Sequence, residues 1–278
     1  MRLGVDLGGT KMEVVALDAA GRELFRNRVP TPHAGYDVAL EALAGLIAEA
    51  ERRAGERCSV GVGMPGTIAP QSGRVVNAYN TPFNGRRLKQ DLEAKLGREL
   101  RFANDANCFA LSEAVDGAAR GADVVFGAIL GTGVGGGIVA GGRVLNGIHG
   151  IAGEWGHTPL PWMTLEEYPG PMCNCGRPGC IEQFVSGPAF AREKSARGEE
   201  SAMALYADRL ARAFSLVVNF LDPEVIVVGG GVSKEGRIYA SVPQLMPKYV
   251  YTANFSTPIV PAAHGDASGV RGAAMLWP

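Results

Sequence analysis

The chain has little of what marks several functional classes. Its 278 residues include only five cysteines and 7% aromatic residues. No run approaches the roughly 18 consecutive apolar positions that a membrane helix needs. Charge of one sign is equally scarce: 27 Lys and Arg stand against 28 Asp and Glu, a formal net charge of −1, with no long block of either sign. That balance argues against a nucleic-acid groove or a patch for anionic membranes, and leaves small-molecule chemistry as the default. The opening MRLGVDLGGTK lacks the basic stretch, long apolar core and small-residue cleavage site of a secretory leader, so a cytoplasmic protein is expected. A hydrophobic content of 46% suffices for one large core or two smaller ones.

What cysteine there is lies together. Cys173, Cys175 and Cys180 fall within PMCNCGRPGCIEQF, where Gly176, Pro178 and Gly179 let the backbone bend until three thiolates converge. In a reducing compartment, tight local clustering of an odd number of thiols points to a metal rather than to a disulfide framework. Structural Zn²⁺ takes four N or S ligands. Of the four histidines, at 33, 149, 157 and 264, His157 in GEWGHTPLP is the best placed, 16 residues before Cys173. A Cys₃His zinc site is the leading reading and three clustered buried thiols the alternative; a redox pair fits less well, because the CxxC spacing at a helix start is missing. Four protein ligands leave no open position for water, so such a site anchors a loop. Glu154 and Glu182 flank the donors, and two carboxylates fixed from separate segments suggest the wall of a polar pocket.

The rest alternates strand and helix patterns, which indicates an α/β fold. Residues 3–7 and 12–17 read as a β-hairpin around a Gly-Gly-Thr turn. Residues 124–130 repeat that grammar, with a glycine-dense turn at 131–137 and a returning strand, as though the chain held two related halves. The apolar spacing predicts helices over 37–54, 86–96, 105–119 and 202–221, with strands over 59–64, 74–77, 99–103 and at EVIVV. No linker or low-complexity tract separates domains, so a boundary is expected near the 105–119 helix.

Glycine turns between strands free backbone N–H groups to meet phosphate oxygens. In the first, Gly8 and Gly9 are joined by the Thr10 hydroxyl, the Lys11 cation and the Asp6 carboxylate, a candidate for holding Mg²⁺ through water. Gly131, Thr132 and Gly133 repeat the device, and Gly229, Gly230 and Gly231 end a buried strand, where α/β folds collect ligands. Nucleotide binding follows, although neither a Walker A nor a Rossmann fingerprint is present. In FANDANCFALSEA, Asn104 and Asp105 stand where a strand gives way to a helix. Capping explains such residues by itself. A carboxylate there, beside a phosphate cradle, is also placed to take a proton from an attacking hydroxyl, with its basicity lowered by the helix N-terminus.

DLGGTK at 6–11, GMPG at 63–66, NDANC at 104–108, GTGVGGG at 131–137, GEWGH at 153–157, CNCGRPGCIE at 173–182 and VVGGG at 227–231 together resemble the ROK family of bacterial sugar kinases, transcriptional repressors and relatives. The likeness runs in order along nearly the whole chain. It implies an actin-like ATPase (ribonuclease H-like) fold, two duplicated α/β domains around a cleft, closing on a hexose and moving the γ-phosphate of Mg·ATP to a sugar hydroxyl. Carried onto matching positions, it implies a small domain over 1–110 with a helix from 266–278 packed back on it, and a large domain over 111–265 with the zinc loop. Asp105 becomes the general base, with Gly66, Asn104, Glu154, His157 and Glu182 as sugar contacts. Asn80 is assigned to the sugar as well, with Asn77 the alternative in NAYNTPFNG.

The segments SEAVDGAARGA, AGEWGHTPLPWM and HGDASG and the SGVRGAAMLWP ending are similar to bacterial fructokinases of the mannokinase type. D-fructose is therefore the expected acceptor, with N-acetylglucosamine, glucose or mannose the alternatives within the family. A sugar-sensing module without turnover is the alternative of a different class. Asp6 leaves no room ahead of it for the DNA-binding domain of family repressors, so DNA is set aside. A homodimer is the family expectation.

Overall fold

The computed structural model describes residues 1–79 and 81–277. Strands β1 (Arg2–Leu7) and β2 (Lys11–Leu17) form the expected hairpin, and β3 (Glu23–Pro30) adds a third antiparallel strand. Helix α1 (Tyr36–Ala54) buries Ala39, Leu43, Leu46, Ile47 and Ala50, a single face at helical spacing. β4 (Ser59–Met64) returns parallel to β1. A short ribbon, β5 (Thr67–Ile68) with β6 (Val75–Val76), and helix α2 (Leu88–Leu96) lead to β7 (Arg101–Asn104), parallel to β4. The five-stranded order is β3-β2-β1-β4-β7.

Helix α3 (Asp105–Val115) opens a second unit. Antiparallel β8 (Val124–Leu130), β9 (Val134–Ala140) and β10 (Arg143–Val144) are followed by a long loop, then α4 (Glu182–Val185), α5 (Gly187–Arg197) and α6 (Glu199–Leu221). β11 (Val225–Gly229) lies parallel to β8; helix α7 (Arg237–Leu245) and β12 (Ile259–Pro261), parallel to β11, complete the order β10-β9-β8-β11-β12. Position for position this repeats the first sheet, so the weak internal repeat in the sequence is a structural duplication. Helix α8 (Ser268–Ala274) is the last element, shorter than the helix expected over 266–278.

Four departures from the sequence reading have physical causes. Gly135, Gly136 and Gly137 are not in the turn, which spans only 131–133; they lie in β9. A Cβ on Gly136 would stand 2.6 Å from the Gly153 carbonyl oxygen, and one on Gly137 2.3 Å from that of Ala106, so these glycines serve close approach. Strand β3 has no apolar alternation because it is an edge strand whose inner charges, Arg26 and Arg28, pair with the buried Glu13 of β2. Helix α6 begins at Glu199 rather than 202, after a separate helix α5. Helix α3 stops at Val115 because Glu113 turns its carboxylate onto the Ala118 N–H.

The two sheets are joined through α3 and α8. The Val270 carbonyl oxygen of α8 lies 2.0 Å from where a Cβ on Gly4 of β1 would be, and that of Ala273 lies 1.9 Å from the same position on Gly61 of β4. Helix α3 lies against Gly127 of β8, where a Cβ would stand 2.8 Å from that of Ala110, and against Gly137 of β9. The two helices cross where Gly272 meets the Cys108 carbonyl. Glu113, wholly buried, fastens the chain at that crossing by accepting hydrogen bonds from the Ala263 and His264 N–H groups and the Ser268 hydroxyl. Cys58 and Cys108 are buried thiols, and no helix among the described residues is long and apolar enough to cross a membrane.

Gly272→Ala is expected to lower the unfolding free energy by about 3 kcal/mol or more, since its Cβ meets backbone rather than a side chain that can move aside. Gly45→Ala, in open space on α1, should be neutral or stabilising by about 1 kcal/mol. Urea denaturation of the two variants measures the contrast.

Candidate functional site

The β1–β2 turn is held by a Gly8 N–H to Lys11 carbonyl bond of 2.9 Å, by the Thr31 hydroxyl donating to the Gly8 carbonyl at 2.7 Å, and by the Thr31 N–H donating to the Thr10 carbonyl at 3.0 Å. Thr31 lies beyond β3, and nothing in the sequence singles it out. In the β8–β9 turn the Gly131 N–H meets the Gly133 carbonyl, and the Gly187 N–H, from the start of α5, donates to Gly131 at 2.8 Å. A cleft of about 630 Å³ opens there, lined by Gly131, Thr132, Gly187 and Gly231 with Lys194 and Lys234. Gly229 does not line it, being buried in β11 where a Cβ would strike the Phe109 ring at 2.5 Å; Gly230, at φ 81°, makes the bend that turns the chain toward Gly231. Gly8, Gly9, Thr10 and Lys11 are not among the residues that line this cleft.

At the β7–α3 junction the Asn104 side-chain carbonyl and Asp105 Oδ1 both accept from the Ala106 N–H, at 2.9 and 2.8 Å. Asn104 Nδ2 donates to the Gly66 carbonyl at 3.0 Å, tying the helix start to the β4–β5 loop. Gly66 has φ 70° and lies so near β6 that a Cβ would stand 2.2 Å from the Val76 oxygen, so only glycine fits. Asn77, also at positive φ, accepts from the Tyr79 hydroxyl at 3.4 Å. Asn80 lies outside the described residues.

Burial pushes the Asp105 carboxyl up to about 6, the negative charges of Asp6 and Glu154 add to the effect, and the Ala106 N–H opposes it. The expectation that the helix N-terminus lowers its basicity is thus reversed: desolvation outweighs the helix. Asp6 is likewise raised to about 6 by burial and by Glu13, against Lys11 and Arg28. Glu13 stands directly opposite Asp6 in the β1–β2 register and Arg28 opposite Glu13 in the next, so one cross-strand row carries this charge pattern outward. Glu154 is raised by burial and by Glu182, with His157 opposing. Asp105 thus lies within the field of two other acids, Asp6 and Glu154, each of which makes its ionisation less favourable.

The four sequence-predicted zinc donors come together. The ligand atoms of His157, Cys173, Cys175 and Cys180 all lie within 4.8 Å of one another. Cys173 Sγ is 3.5 Å from His157 Nδ1, and Cys175 Sγ is 3.5 Å from Cys180 Sγ. A tetrahedron with Zn–S of about 2.3 Å has S···S edges of about 3.8 Å, so the quartet fits zinc with little adjustment. Glu182, two residues past the last thiol, accepts the Val134 N–H at 2.9 Å and so links this loop to the β8–β9 turn, while the Trp155 indole donates to the Gly135 carbonyl and stacks on Phe214. The exposed Trp162 stacks on Tyr249. His33 and His149 are exposed, and His264 meets Asp116 at 2.9 Å.

One element of the site has no local sequence signal. Glu167, buried midway between His157 and Cys175, pairs at 2.8 Å with both Arg209 and Arg212 of α6, which are also buried. Burial alone would raise its carboxyl, but the hydrogen bonds from Arg212 and Arg209 win and hold it near 2.

The ROK family sequence profile matches residues 2–278. An N-acetyl-D-glucosamine kinase from Pectobacterium atrosepticum is 40% identical over an alignment of 299 positions, covering 99% of this chain and 98% of the relative. Among solved structures, a ROK hexokinase from Thermus thermophilus superposes with a TM-score of 0.86 at 33% identity, covering 99% of this chain and 97% of that one. A ROK glucokinase from Streptomyces griseus, in complex with glucose and AMPPNP, gives 0.79 at 27%, covering 99% and 98%.

Because ionised Asp105 is disfavoured in the fold, its contribution to stability is present below the unfolded value of 3.8 and is lost as pH rises through about 6. Asp105→Asn is expected to raise the unfolding free energy at pH 7 by on the order of 1–2 kcal/mol and to change it little at pH 3.5, as thermal unfolding at the two pH values will report. The duplicated sheets, the glycine turns and full-length similarity in both sequence and structure converge: this chain belongs to the ROK family and has its actin-like ATPase fold.

Proposed function

We propose that the protein is an ATP-dependent hexose kinase whose acceptor is N-acetyl-D-glucosamine, with Asp105 as general base. The observation that carries this reading is the Asp105 carboxyl, fixed at the start of α3 and raised to about 6. At neutral pH it is ionised yet basic enough to take a hydroxyl proton. The sugar oxygen bonds to the γ-phosphorus, the bond from that phosphorus to the bridging oxygen breaks and leaves ADP, and the hydroxyl proton passes to Asp105. Since phosphoryl transfer has a loose transition state, the proton moves late and Asp105 acts first by orienting the hydroxyl.

In this reading Asn104, Glu154, His157 and Glu182 contact the sugar and Gly66 lies against it. The glycine turns at Gly8–Gly9 and Gly131–Gly133, with Thr10, Lys11, Thr132 and Gly231, receive the nucleotide phosphates. Asp6 would hold Mg²⁺ through water, and the ion when bound would supply positive charge to the phosphates. His157, Cys173, Cys175 and Cys180 hold structural Zn²⁺, keeping Glu154 and Glu182 in place. The boundary between the two lobes falls at α3 in this reading, with α8 packed back on the first lobe.

Full-length identity favours N-acetylglucosamine over the fructose expected from a few short segments, since the relatives at 39–40% identity are N-acetyl-D-glucosamine kinases. The test is a coupled ADP-release assay with Mg·ATP and N-acetylglucosamine, glucose, mannose or fructose, on protein with its zinc quantified. The expected result is the highest kcat/KM for N-acetylglucosamine, about one zinc per chain by the four-ligand rule, and a fall in turnover of about 10²-fold or more in Asp105→Asn. Preference for another hexose overturns the acceptor, near-normal turnover in Asp105→Asn overturns the base, and metal-free active protein overturns the zinc. Absence of sugar-stimulated ADP release from folded, zinc-replete protein favours a non-catalytic sugar sensor.

A further inference from the structure

A second cleft, of about 640 Å³, opens where the free edge of β7 faces the β9–β10 turn. Its charged lining comes from both halves of the molecule: Lys89 of α2 and Arg101 of β7 on one side, Arg143 of β10 on the other. No carboxylate is among the lining residues. Lys89 has Glu93 at 3.7 Å, whereas Arg101 donates to the Leu276 carbonyl and lies 4.2 Å over the Trp277 ring, which leaves its charge unmatched. Arg143 has no ion pair among the described residues. Three cations around one concave space, two of them without counter-charges, make a focused positive potential.

The remaining lining is of a different kind. Phe102 and Leu111 supply apolar surface and Asn146 an amide, so the cleft offers an anion subsite joined to a wall suited to a polyhydroxylated ring. Leu111 is on α3, six residues and about 9 Å of helix rise from Asp105. Phe102 and Asn146 are shared with a smaller cavity of about 200 Å³ that extends to Asn104 and Gly150. The cleft therefore lies apart from the Asp105 carboxylate but communicates with the β7–α3 junction that positions it.

The geometry points to a regulatory site for a phosphomonoester of hexose size, its phosphate held between Arg101 and Arg143 and its ring against Phe102. Bound there, the anion bridges β7 at the edge of one sheet to β10 at the edge of the other, beside the β7–α3 junction that positions Asp105. Inhibition by a sugar phosphate from outside the acceptor pocket is the consequence.

The test titrates the intact protein, its acceptor pocket filled with excess N-acetylglucosamine, with N-acetylglucosamine 6-phosphate and separately with inorganic phosphate, by calorimetry. The sugar phosphate is expected to bind about tenfold or more tightly than inorganic phosphate, to lose about tenfold or more in Arg143→Ala, and to recover most of that in Arg143→Lys. Turnover of Arg143→Ala without sugar phosphate should match that of the unaltered protein, and its inhibition by sugar phosphate should lose the component that excess acceptor does not relieve. No binding to the sugar-filled protein, undiminished binding in Arg143→Ala, equal binding of inorganic phosphate, or purely competitive inhibition overturns the site. The Arg143 comparison is read by binding, so its outcome does not depend on whether the protein turns over.

Discussion

Helix α3 can lie against both sheets only because the strands beneath it are stripped of side chains. Gly127 and Gly137 in the second sheet let α3 approach closely, Gly63 in the first makes room for the Cys108 side chain, and Gly272 lets α8 cross α3 at the Cys108 carbonyl. At Gly137 and Gly272 dense packing forbids any side chain without a shift of backbone. Everything chemical about the molecule inherits its position from that seat. Asp105 is the first residue of α3, Asn104 caps it, and Glu113 near its other end holds the segment that leads into α8.

The carboxylates around the helix start are costly, and their cost is informative. Asp6, Asp105 and Glu154 are each pushed toward the protonated state by burial and by neighbouring charge, while Glu13 behind Asp6 is matched by two arginines. A fold selected only for stability has no reason to gather unmatched acids, whereas a site that handles Mg·ATP and a hydroxyl proton does. The loop that carries His157 and the three thiols is held to the second half in a different way. Glu167 locks it to α6 through Arg209 and Arg212, and Glu182 locks it to the β8–β9 turn.

Local patterns in the sequence led to elements that are locally determined. The two hairpins, α1 and the β7–α3 junction follow from alternation, helical spacing and capping residues, and the convergence of His157, Cys173, Cys175 and Cys180 is legible because cysteine and histidine are rare. Glycine was ambiguous: Gly135–Gly137 read as turn, but they lie in a strand because α3 and the Gly153 segment press on it, a fact set by elements distant in sequence. Strand β3 escaped because its buried partner is a charge. The Glu167 staple joins positions 42 and 45 apart with no motif at either end. The raised carboxyl of Asp105 was read in the wrong direction, since capping is visible locally and burial beside Asp6 is not.

The central claim, that the half-buried Asp105 carboxylate is the base for transfer to a sugar hydroxyl, is tested most directly by the pH dependence of kcat/KM with N-acetylglucosamine at saturating Mg·ATP. The account predicts a plateau at neutral pH that falls below an inflection near 6, where Asp105 takes up its proton. A rate that stays level down to the ordinary carboxylate range near 4 would contradict it.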